Sequence, residues 1–273
     1  MILNSSPLNK KPLNATMTPL TLTQGDVAFN GYSLHDLSSK IVTSLDNDDL
    51  LGIELNTFNY AKNDGWGVNS RYYRSRIINL SITLKSSTAQ ALNSLLDEFK
   101  KKTSGIEGFL DVKVNGSFRR IKATCTSIDF DRKFYNITFI EIKVKFQAME
   151  PFWYEVQNQS NSFFGKTWNF SEEMSHNGTA VSNPTFYLVF SGSSAVTQVV
   201  ISKDGLNFTI NGNFVPGDIL IIDAKAKSVT ENWVDIDYLG SFPVFNPGSN
   251  PFSISFTWTV NVDVSVVVPQ TYL

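Results

Sequence analysis

Residues 254–264 read ISFTWTVNVDV: every even position (Ile254, Phe256, Trp258, Val260, Val262, Val264) is apolar, and every odd one is Ser, Thr, Asn or Asp. Period-2 alternation of this length predicts a β-strand with one face in a core and the other in water. Upstream lie shorter pieces of the same kind at 185–190, 197–202, 206–210, 219–222 and 234–239, each bounded by Gly, Pro, Asn or Asp. Short strands at turn-punctuated intervals, with no helix between them, predict an antiparallel β-sandwich for this part of the chain.

Working back towards the start, residues 140–146 alternate in the same way, with Ile140, Ile142, Val144 and Phe146 on one face and Glu141, Lys143 and Lys145 on the other. Leu110, Val112 and Val114 precede Asn115-Gly116, a pair that suits a type I′ hairpin turn, and the chain returns through Phe118 to Phe130. One segment alone has helical spacing. Ala91, Leu92, Leu95, Leu96 and Phe99 share a face, Ser87 with Gln90 resembles a capping box, Lys100 to Lys102 suit the negative end of the helix dipole, and Gly105 can end it. The expected fold is therefore mainly β: an N-terminal sandwich-like domain with one helix and a hairpin, then a second antiparallel sandwich.

Charge separates the two parts. Residues 1–150 hold 19 Lys and Arg against 15 Asp and Glu, and residues 151–273 hold 4 against 10, so the halves carry about +4 and −6. All six Arg fall in the first half. The boundary is expected at Glu150-Pro151, giving domains 25–150 and 151–273. Pro151 offers no ladder donor and ends the strand before it, and Phe152, Trp153 and Tyr154 are expected to fill a domain seam. Residues 1–24, with Pro7, Pro12 and Pro19 among scattered leucines, read as an extended arm that orders on assembly. Its removal is expected to spare the fold while weakening assembly.

The same inventory excludes several classes of function. One Cys, Cys125, rules out an intrachain disulfide and a thiolate metal cage. No run approaches the roughly 18 apolar residues of a membrane span, and the start lacks the apolar core of a signal peptide. A soluble chain made in a reducing cytoplasm, without membrane insertion, is expected. Neither half is basic enough to argue for nucleic-acid binding by charge alone, and the densest basic stretch, RYYRSR at 71–76, reads as a solvated or subunit-facing strand ahead of the alternative of a nucleic-acid patch.

No catalytic, cofactor or metal site is expected. His35 and His176 are the only histidines and fall in different domains; His35-Asp36 has no nucleophile in an elbow context. Asp46, Asp48 and Asp49 lack the spacing of a calcium loop, and Gly65-Trp66-Gly67 lacks a phosphate-loop context. Asp235 and Asp237 share one face of an expected strand, as a glycosidase pair would, but outer-face acidity explains them equally. Trp66, Trp153, Trp168, Trp233 and Trp258 have faces that can stack on sugars, although Trp in sandwiches more often serves core or interface.

An ordered set of short motifs carries a resemblance. VKFQAMEPFWY at 144–154 resembles the close of the N-terminal domain in the siphophage distal tail protein (Dit) family. Asn177-Gly178-Thr179 with Asn183-Pro184 resembles the opening of that family's galectin-like C-terminal sandwich. Pro216-Gly217-Asp218 with Ile221-Ile222-Asp223 resembles its central strand, and 240–243 with 246–250 its late loop. The likeness spans residues 26 to 262, and the leading segment departs from it.

The resemblance implies a structural, non-enzymatic tail-tip or baseplate hub protein of the virion. It implies a homohexameric ring around a channel through which phage DNA passes without sequence-specific contact. The implied partners are the tail tube protein, a tail-tip hub or tape-measure protein, and receptor-binding or fibre proteins. Arg71, Arg74 and Arg76 are then candidate donors to a neighbouring subunit's carboxylates. The alternative is a carbohydrate-binding, lectin-like adhesin, because galectin-like sandwiches can bind sugars.

Overall fold

The computed structural model describes residues 26–46, 53–59, 66–114, 116–131, 138–192, 195–258 and 261–273, with the backbone alone at 58–59, 66–69, 71, 114 and 131. The 1–24 arm, Asp48, Asp49, Gly65 and Asn115 lie outside the described residues, and the side chains of Trp66 and Arg71 do as well. The chain divides into two compact units, Met1–Pro151 and Phe152–Leu273, so Pro151 goes with the first.

In the first unit the order is β1 (Val27–Phe29), β2 (Tyr32–Ser33), β3 (Lys40–Asp46), β4 (Ile53–Asn59), β5 (Trp66–Tyr73), β6 (Arg76–Lys85), α1 (Ala89–Thr103), β7 (Glu107–Val114), β8 (Ser117–Asp131) and β9 (Phe139–Ala148). An antiparallel sheet runs β2-β1-β7-β8-β9-β6-β3, and β4 pairs only with β5. Its longest uninterrupted ladder is β6 with β9, from Arg76↔Ala148 to Lys85↔Phe139. Ile78, Leu80, Ile82 and Leu84 of β6 and Ile140, Ile142, Val144 and Phe146 of β9 are all buried. This is the alternation legible at 140–146: one face wet, the other in the core. The sheet curls enough for Phe29 of β1 to meet Phe146 of β9, with 5.0 Å between ring centroids.

Helix α1 lays Leu92, Leu96 and Phe99 into this core. Burying each is favourable by roughly 1.5–3 kcal/mol. The cap differs from the expected one: Thr88, not Ser87, is the N-cap, and its side chain accepts from the backbone N–H of Ala91. The two adjacent hydroxyls offer the same chemistry, and only the residue with extended backbone geometry can cap. Ser104 closes the helix, and Gly105 follows with φ +67°.

The second unit contains β10 (Trp153–Glu155), β11 (Gln159–Lys166), β12 (Phe170–His176), β13 (Thr185–Phe190), β14 (Val196–Lys203), β15 (Leu206–Phe214), β16 (Ile219–Asp223), β17 (Ser228–Glu231), β18 (Val234–Asp235), β19 (Tyr238–Gly240), β20 (Gly248–Phe256), β21 (Val262–Val268) and β22 (Thr271–Tyr272). A six-stranded sheet, β11-β21-β13-β16-β17-β18, faces a five-stranded one, β12-β20-β14-β15-β19. One cluster fills the space between them, built on Phe186, Leu188 and Phe190 from one sheet and Ile201, Phe208 and Ile254 from the other.

Two stretches that read as single strands are each broken between the sheets. In 254–264, β20 ends at Phe256 in one sheet and β21 begins at Val262 in the other. In 234–239, β18 ends at Asp235 and β19 begins at Tyr238, again in opposite sheets. In the first, Ile254 on one side and Val262 and Val264 on the other point at one core, so the alternation keeps its phase across the crossover, whereas β18 and β19 are exposed throughout. Period alone cannot mark the break.

Candidate functional site

The residues with catalytic potential are engaged as parts of the fold. His35 Nδ1 accepts from the backbone N–H of Val42 at 3.0 Å. Asp36 accepts from the backbone N–H groups of Ser38, Ser39 and Lys40 at 3.0, 2.7 and 2.8 Å, and from the Ser39 hydroxyl at 2.6 Å. Burial alone would raise the Asp36 carboxyl, but these hydrogen bonds outweigh it and hold the group well below the usual carboxylate range. His176 is buried and donates from Nε2 to the Ala180 carbonyl at 2.7 Å. The Cys125 thiol is buried and pushed up to about 11 by burial, which keeps it from acting as a thiolate. Asp235 lies on β18 opposite Thr230, whereas Asp237 falls outside any strand. Among the described residues there is no cluster of three metal-ligating side chains, and no helix is long and apolar enough to cross a membrane.

The arginines of the basic stretch do not share one environment. Arg71 stands on β5 opposite Leu55. Arg74 is exposed and donates to Glu54 at 3.2 Å, a surface pair of small energetic weight. Arg76 shares the buried face of β6 with Ile78 and Leu80 at 8% exposure, and burial lowers its pKa. Nearby, the β4–β5 hairpin leaves Ile53, Leu55 and Tyr72 about half exposed. Of the expected seam residues, Pro151 and Trp153 are buried, Phe152 and Tyr154 half-buried. Trp153 pairs with Tyr272 across β10 and β22, and Lys225 donates to the Tyr154 hydroxyl at 3.3 Å.

The motifs that carry the resemblance are turns locked by their own polar groups. At 177–179 the C-terminal end clasps the loop: Gln270 Oε1 accepts from Asn177 N–H at 2.6 Å, the Thr271 carbonyl from Ala180 N–H at 3.0 Å, and Thr179 Oγ1 from Leu273 N–H at 2.9 Å. A Cβ on Gly178 would run into the Thr271 carbonyl and the His176 ring, so only glycine fits. At 216–218, Gly217 takes φ +100°, and Asp218 accepts from Val215 N–H at 2.6 Å and from the Asn232 side-chain amide at 2.7 Å. At 246–250 the fully buried Asn250 accepts from Asn246 N–H at 2.8 Å and donates to the carbonyls of Asn246 and Gly248 at 2.7 and 2.9 Å. The partners of 177–179 lie about ninety positions away, so sequence gives no hint of them.

These locked turns fall inside residues 177–266, which match the family model described as siphovirus-type tail component, C-terminal domain. This stretch of the second unit is similar to the C-terminal domain of siphovirus-type tail components. A solved tail protein has a similar fold. The Dit protein of phage SPP1, titled a paradigm of the hub adsorption apparatus in phages infecting Gram-positive bacteria, is similar at a TM-score of 0.69 and 15% identity, over 91% of this chain and 99% of that one. A chain of the phage P2 baseplate, in its activated conformation with Ca, is similar at a TM-score of 0.41 and 9% identity, over 87% of this chain and 92% of that one. No curated protein matches the sequence.

Proposed function

We propose that the protein is a structural, non-enzymatic distal tail protein of a siphophage virion. Copies assemble into a homohexameric ring at the tail tip, joining the tail tube to the tip and to receptor-binding or fibre proteins. The observation that carries this reading is the agreement of two levels: a tail component family model on 177–266, and a fold that follows SPP1 Dit over nearly the full length of both chains. The turn residues Asp218 and Asn250 support it, because their polar groups are already taken up within the fold.

In this reading DNA passes through the ring without sequence-specific contact, and the chain is made in the host cytoplasm. Arg71 on β5 and Arg74 just after that strand are the proposed donors to a neighbour's carboxylates. Arg76, on the buried face of β6, reaches a neighbour only through a shift of that strand's end.

Antibody raised against the purified chain, labelled with gold and applied to virions, tests the location. Label at the tip distal to the head is the expected result. Virions that lack the protein, or carry it on the head, would overturn the proposal.

A further inference from the structure

The second unit bears an aromatic surface that neither the core nor the ring reading uses. Strands β11 and β21 are neighbours in one sheet, and β12 and β20 are neighbours in the other. The crossover from β11 to β12 therefore runs beside the one that leaves β20 for β21. Asn169 in the first ties them, its Oδ1 accepting from the Phe256 backbone N–H at 2.9 Å. Thr257 in the second is anchored to Thr197, whose backbone N–H donates to Thr257 Oγ1 at 3.2 Å. Trp168 precedes Asn169 and Trp258 follows Thr257, so the two indoles stand on adjoining crossovers at one end of the sandwich. They are 67% and 66% exposed, and Phe164, near the end of β11, is 74% exposed.

Lone exposed apolar residues need no explanation, but two indoles and a phenyl ring on adjoining elements do. Beneath them the loops rest on a fixed aromatic floor. Phe170 lies 6.4 Å from Phe163 and 6.5 Å from Phe256, centroid to centroid, and Phe190 lies 6.5 Å from Phe256. The Lys166–Glu172 ion pair at 2.7 Å braces the same corner. A surface set in this way loses little conformational entropy on binding.

We propose that this end of the domain binds a neutral saccharide chain, with Trp168 and Trp258 as its stacking platforms. Pyranose rings present apolar C–H faces to indoles and hydroxyl edges to amides. The exposed residues next to the indoles in the chain, Thr167, Asn169 and Thr257, supply that polar complement. The Asn169 carbonyl is taken up by Phe256, which leaves its amide to donate to a hydroxyl. Charge selects against anionic ligands, since residues 151–273 hold 4 Lys and Arg against 10 Asp and Glu. A protein partner fits less well: its hot spots cluster within a contiguous patch of about 800 Å² per side. Here the indoles alternate along the chain with the exposed polar residues Thr167, Asn169 and Thr257.

The proposal does not depend on ring formation, and its test uses the full-length chain. Neutral tri- and tetrasaccharides of glucose, galactose, mannose and rhamnose are titrated by calorimetry and by tryptophan fluorescence. At least one series binds and shifts the tryptophan emission. Trp168→Ala and Trp258→Ala each weaken it about tenfold or more, with the thermal midpoint unchanged because both rings are exposed. Leu206→Ala, at the start of β15 at the opposite end of the sandwich, leaves the affinity intact. No binding across the series at millimolar sugar would overturn the proposal. So would binding indifferent to both tryptophans, or adhesion of the wild-type chain to neutral lipid vesicles lost in the same two variants without any sugar binding.

Discussion

The Asp111–Arg120 pair offers the sharpest test of how the first unit is held together. The two residues face each other across β7 and β8. Arg120 Nε and Nη2 donate to the Asp111 carboxylate at 2.6 and 2.9 Å, in the two-pronged geometry that suits a guanidinium. The Asp111 side chain is 1% exposed and that of Arg120 is 14% exposed. The Arg120 guanidinium also lies 4.9 Å from the Phe109 ring centroid. Breaking a buried pair by removing one partner costs about 3–5 kcal/mol, because the remaining charge has lost its water and its counter-charge. Arg120 keeps a path to solvent and a ring to rest on, so Asp111→Ala is expected near 3 kcal/mol. Arg120→Ala leaves the more deeply buried carboxylate behind and is expected nearer 5. The double variant should cost clearly less than the two single losses added together, with a coupling of at least about 1.5 kcal/mol. Urea unfolding followed at 222 nm reads the first unit, since α1 belongs to it. Single losses below about 1 kcal/mol, or losses that simply add, would refute the view that the pair is desolvated.

The turn at Asp36 makes a pH-dependent contribution. Its carboxyl is depressed in the folded state, so the stability it supplies is present above the unfolded value near pH 4 and is lost as pH falls further. Asp36→Ala is expected to cost about 2 kcal/mol at pH 7, and the gap to wild type should narrow in urea titrations taken down to pH 3; a constant gap would contradict this. Gly178→Ala should cost about 2–4 kcal/mol, because the Thr271 backbone and the His176 ring must both move. A thermal midpoint within a degree of wild type would contradict it.

How much was legible follows from the range of each signal. The helix, the strand at 140–146 and the sandwich were readable because alternation and helical spacing report burial directly along the chain, whereas the pairing of 140–146 with β6 came only from the fold. The break at 256–262 was not, since two sheets facing one core preserve the phase of the pattern across a crossover. The clasp of 177–180 by 270–273 was invisible for a different reason: it joins main-chain groups far apart in sequence, and glutamine, threonine and glycine there look like any loop. The arginines of 71–76 read as one basic stretch, yet Arg76 follows the inward face of β6 while Arg74 stays at the surface. The five tryptophans were evident as a composition. Only the adjoining crossovers set Trp168 and Trp258 apart from the buried Trp153.

The central claim is the ring, and the mass of the full-length protein in solution tests it most directly. Native mass spectrometry or light scattering, on the chain alone and with its tail-tip neighbours, should give a species six times the 30.5 kDa chain mass. A chain that stays at 30.5 kDa at high concentration, and also in disassembled tails, would contradict the account.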